Sequence, residues 1–158
     1  MLIGPALTLA LLLPAPSGDT PLTAATVEHR LAEMGPTATV RELDGAGRWE
    51  QVMNRIQAGD ARWIALAHKL ALGADANTSG ALTTALAEAL PKSPRAVLSA
   101  LKLKGPISAD RVCAAPFLDS DSATFSAYRA STLKALGELS DARLTSMRDA
   151  CVSRLEDL

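Results

Sequence analysis

The chain has 158 residues and a net charge of −1, with 48% hydrophobic but only 3% aromatic residues. That length suits one domain with enough material for a core. Acidic and basic residues are interspersed, which excludes the global basic field that holds nucleic acid or an anionic membrane. Much of the hydrophobic share is alanine and leucine, both strong helix formers, while strand-forming residues are sparse. The expectation is an all-α protein.

Residues 1–18, MLIGPALTLALLLPAPSG, carry no charged side chain. The apolar run Leu7 to Leu13 followed by Pro14, Pro16 and small residues reads as the hydrophobic and cleavage regions of a secretory signal. It is too short to span a bilayer. No Lys or Arg precedes it, so either the amino terminus alone supplies the positive charge or translation starts further upstream. Cleavage is expected near Ala15–Gly18, leaving a single helical domain over 19–158 in the periplasm or outside the cell. No cysteine ends the apolar run, so no lipid anchor is expected, and no later segment is apolar for long enough to cross a membrane.

The elements follow in chain order. A first helix is predicted from Thr23 to Met34, stopped by Gly35-Pro36. Thr39 and Glu42 have capping-box spacing and predict a short helical turn, which Asp44, Gly45 and Gly47 break. Trp49, Val52, Met53 and Ile56 then fall at i, i+3, i+4 and i+7, and Trp63, Leu66, Ala67 and Leu70 repeat that spacing. Gly59 is a natural stop and Asp60 a natural cap between them, so the stretch predicts an αα-hairpin. Each tryptophan leads an apolar stripe, which places both in a core, with one partner required for each indole N–H.

Gly73 closes the second of these helices. Asn77, Thr78 or Ser79 is expected to cap the next, with Leu82, Ala85, Leu86, Ala89 and Leu90 on one face and Pro91 as its end. Ser93 as cap and Pro94 at the first helical position restart the chain. Val97, Leu98 and Leu101 face inward, and Gly105-Pro106 is the expected stop. A short turn over Ser108–Ala114 carries Cys113. Two final helices are lined by Phe125, Tyr128, Thr132, Leu136 and Leu139, then by Leu144, Met147, Cys151 and Leu155, with Ser140 or Asp141 capping the second. The result is a compact irregular bundle of about six or seven short helices with short connections.

The two cysteines, Cys113 and Cys151, form the smallest even set, and an oxidising compartment would pair them. Two buried free thiols are the alternative. No CxxC or HxxxH spacing supports a metal or a redox motif. The chain also lacks GxSxG, HExxH, GxGxxG and P-loop patterns. His29 sits four residues before Glu33 and reads as a surface pair, and His68 lies at the edge of the second tryptophan stripe. Asp119 and Asp121 lack the remaining ligands of a calcium loop and read as caps. Neither a cofactor nor a metal is expected. Lys92, Arg95, Lys102 and Lys104 cluster in PKSPRAVLSALKLKGP. With Arg95 and Lys102 on one helix face, they form either a solvated face or a basic patch for docking an acidic partner or lipid headgroups.

The stretches RWEQVMNRIQAGDARWIALA and ALAEALPKSPRAVL, with Cys113 and Cys151, resemble small uncharacterised exported helical proteins of Gram-negative bacteria. In size and style the chain is also similar to periplasmic immunity proteins, a likeness of architecture alone. The resemblance implies an exported all-α body and no particular activity. The sequence thus predicts a non-enzymatic periplasmic protein-binding module: an inhibitor, immunity protein or adaptor. A small-ligand or lipid carrier is the alternative, and an enzyme with a site assembled from dispersed residues is a third reading.

Overall fold

The computed structural model describes residues 21–114 and 122–157. Their regular elements are helices, apart from one isolated parallel bridge between Lys102 and Ser108. The segment 1–18 and the pair Asp119 and Asp121 lie outside the described residues. In chain order the helices are α1 (Ala24–Gly45), α2 (Trp49–Gln57), α3 (Ala61–Ile64), α4 (Ala67–Ala71), α5 (Ala76–Ala89), α6 (Pro94–Ala100), α7 (Ala109–Val112), α8 (Ser122–Gly137) and α9 (Thr145–Glu156). A 3-10 turn, Ala142–Leu144, precedes α9. The fold class is all-α, as composition and periodicity predict.

Gly35-Pro36 bends α1 without ending it. Gly35 takes the left-handed φ of 80°, and helical backbone resumes at Pro36, where the fixed φ of proline suits a first helical position. Thr39 is fully buried, and its hydroxyl donates to the Gly35 carbonyl at 2.8 Å. It therefore does not form the expected capping box with Glu42. Glu42 pairs instead with Arg30, joining the two segments of α1 across the bend.

The tryptophan hairpin forms largely as its spacing predicts. Trp49, Val52, Met53 and Ile56 are buried along α2, and Trp63, Leu66, Ala67 and Leu70 are buried beyond the corner. Gly59 turns the chain with a left-handed φ of 88°. Asp60 accepts from the Arg62 N–H at 3.0 Å, and the Arg62 guanidinium beside it holds its carboxyl below the ordinary range. The expected single helix after the corner is divided into α3 and α4. At the division Leu66 N–H bonds the Trp63 carbonyl, three residues back, which tightens the turn locally. The tryptophans are core pegs, but among the described residues the buried Trp49 indole N–H has no hydrogen-bond partner.

Helix α5 is capped by Asp75, upstream of the expected Asn77, Thr78 or Ser79. Asp75 accepts from the Thr78 N–H at 2.9 Å, and the Thr78 hydroxyl accepts in turn from the Asp75 N–H at 2.9 Å. From Leu82 to Ala89 no residue of α5 is exposed. The helix packs on α2, α4, α6 and α7, most extensively on α2. Its buried Thr83 hydroxyl donates to the Ser79 carbonyl, so it needs no outside partner.

Ser93 and Pro94 start α6 in the expected order, but the Ser93 hydroxyl does not cap its own helix. It donates to the Gly59 carbonyl at 2.7 Å, at the tryptophan corner. The helix ends at Ala100, short of the expected stop at Gly105-Pro106. Leu101 turns extended there, and Lys102 exchanges backbone bonds with Ile107 and Ala109. Beyond it, Cys113 follows α7 and Cys151 lies on α9, both fully buried, with α-carbons 5.2 Å apart and a disulfide between them. Helix α8 packs on α9. Its Tyr128 hydroxyl donates to the Ala87 carbonyl of α5 at 2.8 Å, and burial pushes the phenol up to about 12. The Arg129 guanidinium donates to the Leu155 and Glu156 carbonyls at the end of α9.

Two stability predictions follow from this packing. The bridge closes a separation of 38 residues. Cys113→Ser should therefore cost about 3–4 kcal/mol in the chain-entropy account, read as a lower melting temperature than that of the oxidised parent. Equal melting temperatures would mean that the bridge contributes nothing.

The second prediction contrasts two glycines. A Cβ at Gly73 would lie 2.2 Å from the Pro36 carbonyl carbon, whereas one at Gly80 in α5 meets nothing within 4 Å. Gly73→Ala should destabilise by about 1–3 kcal/mol as an overpacked contact. Gly80→Ala should stabilise by about 0.5–1 kcal/mol through helix propensity. Urea denaturation of the two variants would refute the assigned contact if they shifted alike.

Candidate functional site

Helices α3 and α6 pack together, yet the positions they turn toward one another at one edge are small. Ala61 and Ala65 come from one side and Ala96, Ser99 and Ala100 from the other. Such short side chains cannot fill the space between two helices, and a groove of about 650 Å³ remains, open to solvent and mainly apolar. His68 of α4 lines it, together with Arg95 and Lys102. The His68 ring is half-buried, and its Nδ1 atom is buried without a hydrogen-bond partner among the described residues.

The four basic residues singled out from the sequence take three different roles. The Lys92 ammonium donates to the Gln57 carbonyl at 2.7 Å. It thus places a positive charge at the carbonyl end of α2, where the helix dipole favours a cation. Arg95 pairs with Asp141 at 2.6 Å, joining α6 to the turn before α9. Lys102 is not on the helix face of Arg95, because α6 has already ended, yet the two residues meet at the same groove. Lys104 is exposed in the loop that follows, and Leu103 between the lysines is 61% exposed.

Asp141 joins this surface to the chain beyond it. Its carboxylate accepts from the Arg143 N–H at 3.1 Å as the cap of the 3-10 turn, and it also meets the Arg143 and Arg95 guanidiniums. These hydrogen bonds and charges, led by Arg143, hold the Asp141 carboxyl below its ordinary value. Its candidacy as a cap was visible in the sequence. Its contact with Arg95 was not, since no local spacing connects residues 46 apart. The alanine pairs at i and i+4 on α3 and α6 were also visible, but nothing local said that they face each other.

His29 lies away from this groove. Its Nδ1 atom pairs with Glu33 at 2.9 Å on exposed α1, the surface pair expected from their spacing. Among the described residues no group of three or more His, Cys, Asp or Glu side chains could hold a metal ion. None of the described helices is long and apolar enough to cross a membrane. Comparison of the chain with protein-family models, curated proteins and solved structures finds no match.

The shared carboxylate has a defined pH signature. A depressed carboxyl pKa contributes stability that is present above the ordinary value of 3.8 and is lost as pH falls through the lower folded value. The Asp141 side-chain carbon should therefore titrate by NMR with a midpoint below 3.8. Arg95→Gln and Arg143→Gln should each move that midpoint upward, with the larger effect from Arg143. A midpoint at or above the ordinary value would remove Asp141 from the role assigned to it.

Proposed function

We propose that this is an exported, non-enzymatic protein-binding module of the periplasm or extracellular space, an inhibitor, immunity protein or adaptor, and that it docks an acidic surface of its partner. The observation that carries this reading is the unbalanced positive edge of the groove. Lys102 and Lys104 form no ion pair within the described residues and flank the exposed Leu103. An apolar side chain set between two cations suits a protein surface that is apolar at its centre and acidic at its rim. The uncharged apolar segment 1–18 and the Cys113–Cys151 bridge support export to an oxidising compartment.

Lys92 and Arg95 belong to the same basic cluster, but each also holds one element against another, so their substitution mixes docking with folding. The volume and apolar lining of the groove favour a second reading, a carrier of a small apolar ligand. Its open side counts against that reading, because small-molecule sites enclose most of their ligand.

The test is affinity capture from periplasmic extract of the native host. The bait is either the parent protein or the Lys102→Glu/Lys104→Glu double variant, which leaves the structural cations in place. Capture of a partner by the parent and its loss with the double variant is the expected result. An unchanged set of captured proteins, or none above the control, would overturn the reading.

A further inference from the structure

We infer that the groove between α3 and α6 receives an amphipathic helix of the partner, apolar along its buried stripe and acidic along its flank. This rests on the protein-binding reading above and names the mode of docking.

The charge of the partner follows from the groove. Among the described residues its lining includes no carboxylate, while Arg95 and Lys102 both reach it. The carboxylate that pairs with Arg95, Asp141, is already shared with Arg143. Among the described residues the lining thus carries two cations and no anion, and an acidic flank complements them.

The shape of the partner follows from the walls. Ala61, Ala65 and Ala96 line the groove with short side chains. A third helix can then approach at the ordinary interaxial distance of about 8–10 Å. Strand addition needs an open sheet edge, and the described residues offer one isolated bridge. A helix laid in the groove covers apolar surface along its length, as helix-in-groove recognition requires.

The test uses two synthetic helical peptides with the same leucine stripe, one flanked by glutamates and one by lysines. NMR titration of the full chain should show the glutamate peptide shifting the amides of Ala65, Ala96 and Ser99 and the His68 ring. The His29 ring on α1 serves as the internal control and should stay unmoved. The lysine peptide should bind at least about tenfold more weakly.

Ala65→Trp and Ser99→Trp place bulk at exposed positions in the groove. Each should reduce binding of the glutamate peptide by about tenfold or more. Unchanged thermal melting would show that a variant still folds, and having two variants guards against failure of one. Shifts that map elsewhere, equal binding of the two peptides, or full binding by both tryptophan variants would each overturn the inference. So would binding of dodecanoate at the groove with no binding of the glutamate peptide, which would point to an amphiphile. If the captured partner is lost with Lys102→Glu/Lys104→Glu but kept by both tryptophan variants, the groove inference fails and the protein-binding reading stands.

Discussion

Helix α5 meets water at Ala76, Asn77, Gly80 and Ala81, in its first turns, and is covered beyond them. Its one charged side chain, Glu88, is half-buried, and no residue from Leu82 to Ala89 is exposed. A helix segment with no exposed residue must be covered by its neighbours. Here the cover comes from α2, α4, α6 and α7, with Tyr128 of α8 bonded to Ala87 from a further direction. The polar groups carried inside must then be satisfied within the helix, because no water can reach them. Thr83 answers that requirement by bonding back to Ser79.

Wrapping leaves many helix ends close together, and the chain satisfies them across elements. Lys92 and Ser93, at the corner between α5 and α6, bond to the carbonyls of Gln57 and Gly59 at the end of α2. Arg129 of α8 bonds to the last carbonyls of α9. An orphaned helix carbonyl is an obligatory acceptor, so these contacts fix corners that hydrophobic burial alone would leave free to slide. The groove occurs where the opposite holds: α3 and α6 meet through side chains too small to interlock.

The distinction between local and distant partners explains how much was legible in the sequence. The periodicity of Trp49 to Leu70, the Gly59-Asp60 corner and the Ser93-Pro94 start are local patterns, and each appears where the residues placed it. The pairing of the two cysteines was also legible, because the set had only one possible partnership. Local signals failed where one competed with another. Gly35-Pro36 has the composition of a helix stop, but a proline that ends one segment can also begin the next. Asp75 took the cap from three polar residues because its carboxylate and Thr78 satisfy each other. Ser93 left its own helix for Gly59, and nothing in the residues around it announces that. For the groove, the cations were legible as residues and the cavity was not, since it exists only where two distant alanine pairs come together.

Asp141 leaves one consequence for how the groove can respond to an occupant. Breaking an ion pair usually strands one charge, and the cost of that stranding resists the change. Asp141 is only 11% exposed as a side chain but has two guanidiniums and a backbone N–H to hold it. If Arg95 turns toward the acid of the proposed partner, Arg143 and the backbone donor remain on Asp141. The proposed docking is then a swap of partners, with two ion pairs before it and two after it. In that trade Arg95 is the currency, and Arg143 is the reserve that lets it circulate.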